Sequence, residues 1–157
     1  MPIRLYLDTN VFCRPFDDQS FAKVHDEAQA FARILDKVNE AKVTLAGSEL
    51  LVFEIQRIIE ADKRAKVVGY LRLIDSYHIM TEETLSLGKR ITAQFKLQPR
   101  DALHAASALF EESEYFLSCD DGITKRFQKR PLFANIGHQP RRLKVMNPVA
   151  FVKEMRW

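Results

Sequence analysis

Four acidic residues stand where apolar ones would be expected. The run Ile3-Arg4-Leu5-Tyr6-Leu7 stops on Asp8-Thr9-Asn10, and Tyr115-Phe116-Leu117-Ser118 runs into Cys119-Asp120-Asp121. Glu54 sits in Leu50-Leu51-Val52-Phe53-Glu54-Ile55, and Asp101 in Arg100-Asp101-Ala102-Leu103-His104-Ala105-Ala106. An ionised carboxylate against apolar neighbours costs several kcal/mol unless it is paired, hydrogen-bonded or bound to a metal. Asp8, Glu54, Asp101 and one of Asp120 and Asp121 are therefore candidate ligands for a divalent cation. Acids that hold such a cation suit hydrolysis of a phosphate ester.

Each acid also has a plainer reading. Asp8 and Asn10 could cap the turn that follows the strand through local backbone hydrogen bonds. Glu54 could lie at the edge of a buried stripe and reach water. Asp101 follows Pro99 and Arg100 in the first turn of a helix, where the helix dipole favours an acid. What sets it apart is its face: positions 101, 104, 105, 108 and 109 are Asp, His, Ala, Ala and Leu. Small residues there let the helix approach a sheet and carry Asp101 to the strand ends. His104 on that stripe reads as a packed, hydrogen-bonded core histidine rather than a catalyst. Of Asp120 and Asp121, one could cap the next helix while the other faces the site, with the Ser118 hydroxyl in support. The dipole at a helix start explains Glu49.

The elements that must position these groups alternate. Ile3–Leu7 reads as a buried strand, Phe21–Asn39 as a helix with apolar residues at helical spacing, and Val43–Ala46 as a second strand. Ser48 suits an N-cap for a helix through about Ala61, followed by another around Lys66–Ser76. Ile79–Thr81 is the expected third strand, Glu82–Phe95 a helix, and Pro99 the first position of a helix through about Glu111. Tyr115–Ser118 is the fourth strand, Ile123–Arg130 a short helix, Phe133–Gln139 a loop, and Leu143–Met146 an edge strand. Strands separated by helices imply right-handed crossovers. The expected fold class is α/β: three layers, α/β/α, around a mostly parallel sheet of four to five strands. An acid at a strand's carboxyl end then lies where open α/β sheets bind ligands.

Bulk properties narrow the function. The 157 residues suit one domain spanning 1–157, and 46% hydrophobic with 29% charged residues excludes disorder. No signal-peptide pattern and no apolar run of roughly 20 residues is present, so the expected location is the cytoplasm, without a membrane. The two cysteines, Cys13 and Cys119, lack zinc-site spacing and read as reduced thiols. Five scattered glycines supply neither a P-loop nor a dinucleotide fingerprint. Charge is lopsided: Gly122 to Trp157 carries nine Lys or Arg against Glu154 alone, a net of +8, and the rest of the chain is −5. An acidic cluster beside a basic segment suits a polyanion held by its phosphates, and a solvated helix face is the plainer alternative. Arg14, Lys125 and Arg126 are the candidate phosphate contacts. Pro15 also explains Cys13–Asp18 as a simple turn, the preferred reading for Arg14.

Taken in order, Leu7-Asp8-Thr9-Asn10, Ser48 with Glu54, Asp101-Ala102-Leu103-His104-Ala105-Ala106-Ser107-Ala108 and Leu117-Ser118-Cys119-Asp120 resemble the PIN domain nucleases, which include the VapC-type toxins. The resemblance runs from the first strand to about residue 130. It implies that Asp8, Glu54, Asp101 and Asp120 line one pocket and bind Mg²⁺ or Mn²⁺ for RNA cleavage, with Asn10 and Ser118 as polar support. Ser118 replaces the family's usual Thr and keeps the hydroxyl, and the Cys13–Asp18 stretch lies outside the motif set. The expected function is a metal-dependent endoribonuclease, with an antitoxin protein and a second copy of the chain as candidate partners. The alternative is a catalytically silent PIN-like module that binds RNA or protein. A phosphatase or DNA nuclease on a similar sheet is a further class.

Overall fold

A computed structural model of the protein describes residues 1–128 and 130–157. Its centre is β1 (Ile3–Leu7), flanked by β2 (Val43–Ser48) and β4 (Tyr115–Leu117). With β3 (Ile74–His78), β5 (Leu132–Ile136) and β6 (Gln139–Met146), the sheet has six strands in the order β3-β2-β1-β4-β6-β5. All pairings are parallel except that of β5 with β6. Alternation along β1 divides the core: Leu5 and Leu7 face one side with Phe31, Ile34 and Phe151, and Tyr6 faces the other with Phe116, Ala105 and Leu109. The first side is covered by α1 (Thr9–Cys13), α2 (Ala22–Asn39), α3 (Glu49–Gln56), α4 (Ala61–Val68) and, at the far end of the chain, α8 (Pro148–Met155). The second is covered by α5 (Glu82–Phe95) and α6 (Pro99–Phe110). Gly88 lets these two helices meet, since a Cβ there would come within 2.9 Å of the Leu103 side chain.

The path leaves β1 toward β2 on one side and later returns to β4 on the other. The carboxyl ends of β1 and β4 thus flank a topological switch point, the crevice in which open α/β sheets bind ligands. Asp8 follows the first of these ends directly, and Asp120 follows the second after Ser118 and Cys119.

Six strands replace the four to five expected, and several bounds move. The third strand is Ile74–His78 rather than Ile79–Thr81, and the helix expected around Lys66–Ser76 ends at Val68 in a 3-10 turn, Gly69–Leu73. β2 recruits this segment by pairing with it, and Arg4 on β1 reaches across to Asp75 at 2.9 Å and to Ser76. The helix from Ser48 stops at Gln56. The expected loop Phe133–Gln139 is instead a hairpin between β5 and β6, turning at Gly137 (φ +56°) and His138 (φ +68°). Two successive positive φ values match the right-handed twist of paired strands. β5 therefore takes the sheet edge, and β6 lies inside it. Within the expected Ile123–Arg130 helix, only α7 (Asp121–Thr124) and a 3-10 turn (Lys125–Phe127) form, and Lys129 lies outside the described residues. Cys13 and Cys119 are free and buried. No helix among the described residues is long and apolar enough to cross a membrane.

Candidate metal centre

Asp8 is 6% exposed and caps α1, its Oδ1 accepting the Thr9 amide at 2.8 Å. Its Oδ2 accepts the Ser118 hydroxyl at 2.8 Å and the Asn10 amide nitrogen at 3.2 Å. The residue that closes the turn thus also lies beside Glu54 and His104. Asn10 ties the two strand ends, because its Oδ1 accepts the Cys119 amide at 3.0 Å. Ser118, fully buried, accepts the Asp120 amide at 3.1 Å while donating to Asp8.

Glu54 enters from the last turn of α3, a helix whose N-cap Ser48 accepts the Leu51 amide at 3.1 Å. Its Oε1 accepts the Thr9 hydroxyl at 2.6 Å and pairs with His104 Nε2 at 2.8 Å. Arg100 approaches its other oxygen at 3.4 Å from the exposed rim. His104 is 1% exposed and touches the Tyr6 hydroxyl with Nδ1 at 2.7 Å, and that hydroxyl lies 2.6 Å from Ser48 Oγ. Burial works against protonation of His104, but the Glu54 bond and the charges of Asp8, Glu54 and Asp101 raise it above its ordinary range, and its Nε2 donates to Glu54. His104 is buried and hydrogen-bonded, as its stripe suggested. It is also the third member of a cluster: ligand atoms of Asp8, Glu54 and His104 all lie within 4.8 Å of one another.

Asp101 rises from the first turn of α6, half-buried, and accepts no hydrogen bond among the described residues. Burial and then the charge of Asp8 push its carboxyl up to about 6, with Asp120 and Glu54 adding to the rise and His104 opposing it. Asp8 is raised too, by burial against the pull of His104 and the Ser118 bond. Glu54 moves the other way. Burial opposes ionisation there, but the His104 bond and charge, with Thr9 and Arg100, hold it below its ordinary range. Asp120 is exposed at the rim and caps α7, its Oδ1 accepting the Gly122 amide at 2.8 Å. Asp120 is therefore the cap, and its charge reaches Asp101, while Asp121 lies 4.0 Å from Lys23.

Asp8 and Glu54 thus meet His104, Arg100 reaches Glu54, Asp101 feels the charges of Asp8, Asp120 and Glu54, and Asp8 and Asp101 resist ionisation. Hard carboxylate oxygens in surplus fit Mg²⁺ or Mn²⁺, which keep several waters and take few protein ligands. Arg14 does not face this crevice as a free cation: its guanidinium pairs with Asp17 at 2.9 Å and with Glu27 at 2.9 Å, inside a 3-10 turn (Arg14–Phe16). Lys125 and Arg126 are exposed just beyond α7. Thr9, Tyr6, Ser48 and Arg100 were not among the expected site residues. Thr9 carried a signal, lying between Asp8 and Asn10, whereas Tyr6 looked like any strand residue.

A PIN domain family model matches residues 5–128, and the chain belongs to that family. Among solved structures it is similar to a chain of VapBC2 from Rickettsia felis bound to a DNA fragment from their promoter. The TM-score is 0.57 at 13% identity, covering 92% of this chain and 98% of that one, a likeness of fold. No curated protein matches the sequence significantly.

Proposed function

We propose that this protein is a metal-dependent nuclease that hydrolyses RNA phosphodiester bonds, with Asp8, Glu54, Asp101 and Asp120 as the cation's ligands. The observation that carries the reading is the uncompensated charge at the strand ends. Asp8 and Glu54 share His104, Glu54 also has the rim Arg100, and Asp101 is displaced upward to about 6 by burial and the charges of Asp8, Asp120 and Glu54. A bound divalent cation supplies positive charge against the scissile phosphate and acidifies water for attack. The protein's part is to hold the ligand oxygens in place. Ser118 and Asn10 fix Asp8, Thr9 and His104 fix Glu54, and the Gly122 amide fixes Asp120. Asp101, held by no such bond, stays free to turn toward a ligand. Loading the site at pH 6 should displace the proton that Asp101 partly retains. Exposed Lys125 and Arg126 lie on the segment after Asp120, placed to meet substrate phosphates.

The fold shared with a chain of VapBC2 supports a toxin whose activity is restrained by an antitoxin protein, acting in the cytoplasm. The test is cleavage of labelled mixed-sequence RNA with Mg²⁺ or Mn²⁺, with and without EDTA, beside Asp8→Asn. DNA and small phosphate esters run in parallel. The expected result is metal-dependent RNA cleavage that the substitution abolishes. Full activity in Asp8→Asn would refute this site, and cleavage of DNA or esters alone would refute the substrate.

A further inference from the structure

The hairpin of β5 and β6 leaves one face of the sheet partly uncovered. On that face Phe133 is 66% exposed and pairs in register with exposed Arg142. Two residues along β6, Lys144 lies on the same face, beside Tyr115 of β4, its Nζ 5.8 Å from the tyrosine ring centre. The stripe Phe133, Arg142, Lys144, Tyr115 thus crosses three strands. Arg142 has no ion pair among the described residues, and Lys144 meets only exposed Glu154, at 3.5 Å. On the opposite face, Leu132, Leu143 and Val145 are buried against α6, so the hairpin is anchored and its bare side is presented to solvent.

A groove of about 490 Å³ adjoins this face, lined among others by Asp121, Thr124, Gln128, Arg130, Lys144 and Asn147. Asp121 directly follows Asp120 of the candidate metal centre. β6 is parallel to β4, so both strands run toward the acids, and Arg142 stands four residues before the end of β6. At the rise of a strand that is roughly 13 Å. The groove therefore runs from Asp121, next in sequence to Asp120, to Lys144 of the basic, aromatic stripe.

We propose that this face of the hairpin is a platform for single-stranded RNA, along which the strand runs from the metal centre through the groove. The proposal rests on the nuclease reading for the strand's other end. Charge complementarity favours a polyanion, since Gly122 to Trp157 carries +8. Phe133 specifies the form: an exposed ring stacks an unpaired base of any identity, whereas a duplex keeps its base faces hidden. Arg142 and Lys144 meet the flanking phosphates. A solvated basic face would need no exposed aromatic beside it.

The experiment measures binding of a labelled single-stranded RNA and a duplex of equal length to the whole protein in EDTA, so that nothing is cut, over a range of salt. Phe133→Ala should weaken single-strand binding at least about fivefold without changing its salt dependence, and Phe133→Trp should restore it. Arg142→Ala should weaken binding and lower the salt slope by about 0.7. With metal added, both should raise KM and leave kcat within about twofold. Unchanged single-strand affinity in both variants would overturn the platform, as would an equal loss on the duplex. A shift in oligomeric state with RNA binding intact would overturn it in favour of a protein contact. Cleavage by the wild type with unaffected variants sinks the platform alone. Platform-dependent binding without cleavage supports the platform and sinks the nuclease reading alone.

Discussion

Two buried carboxylates near the same end of the sheet have opposite fates. Glu27 on α2 is 1% exposed and accepts Arg14 Nε at 2.9 Å, Lys23 Nζ at 3.0 Å and the Asn147 side chain. Burial works against its ionisation, yet these partners, Arg14 first, hold it below its ordinary range. Asp8 is as deeply buried, but its hydrogen-bond donors are the neutral Thr9 amide, Ser118 and Asn10, and it is raised. The regions even touch, for Lys23 donates to the Cys119 carbonyl, one residue before Asp120, at 2.8 Å. Burial alone therefore does not separate structure from function. The separation lies in whether the fold itself supplies the countercharge. Glu27 is neutralised from within and clamps α2 to the 3-10 turn and to the start of α8. Asp8 has the imidazole of His104 at 3.9 Å and no Lys or Arg partner among the described residues.

The largest expected effect breaks the neutralised side. Glu27→Ala leaves Arg14 and Lys23 without their shared partner and should cost about 3–5 kcal/mol of stability, read by urea denaturation. A neutral outcome would mean the cluster is solvated and the contrast with Asp8 empty. On the other side, Asp8→Asn should reduce RNA cleavage more than about a hundredfold. It should leave the urea midpoint unchanged or higher, because a strained charge is removed.

Between these lies the chain that holds Glu54. Tyr6→Phe keeps the ring, which packs edge-on against Phe116 at 5.6 Å, and removes the hydroxyl shared by Ser48 and His104. It should cost about 1–3 kcal/mol of stability. Titration calorimetry should also show roughly tenfold weaker Mn²⁺ binding, since Glu54 loses its oriented partner. Unchanged Mn²⁺ affinity would reduce the chain to packing.

The smallest effect concerns pH. Asp101 is raised to about 6 in the folded protein, above its ordinary value of about 3.9. Its contribution to stability is therefore full below pH ~4 and lost as pH rises through 6. Asp101→Asn removes that loss, so the metal-free variant should gain on the wild type by roughly 1 kcal/mol between pH 4 and 7, after allowing for solvent screening. Glu27, lowered instead, contributes stability above its ordinary range that is lost as pH falls. Thermal melts across pH 3–8 should show the two slopes with opposite sign, and Mg²⁺ should flatten only the Asp101 one.

The alternation of apolar strands and amphipathic helices was legible in the residues themselves, because 2.0 and 3.6 periodicities are local properties. So were the N-cap at Ser48, the helix start at Pro99 and the bounds Glu82–Phe95, each set by groups a few positions apart. The acids Asp8, Glu54, Asp101 and Asp120 stood out for the same reason: a charge in an apolar run shows in one dimension. Pairing was not legible. β3 takes its place because β2 pairs with Ile74–His78 and Arg4 reaches Asp75, contacts spanning tens of residues. The β5–β6 hairpin was hidden by Pro131 and Pro140, which read as loop signals, although the start of β6 pairs with β5 and not with β4, so Pro140 opposite Asn135 is tolerated there. The countercharges were hidden as well. Sequence could identify Glu27 and Asp8 as acids, but only the tertiary structure brought Arg14 and Lys23 to the first and neutral donors to the second. Electrostatic balance depends on distances across space, and those distances arise only when the strands and helices have packed.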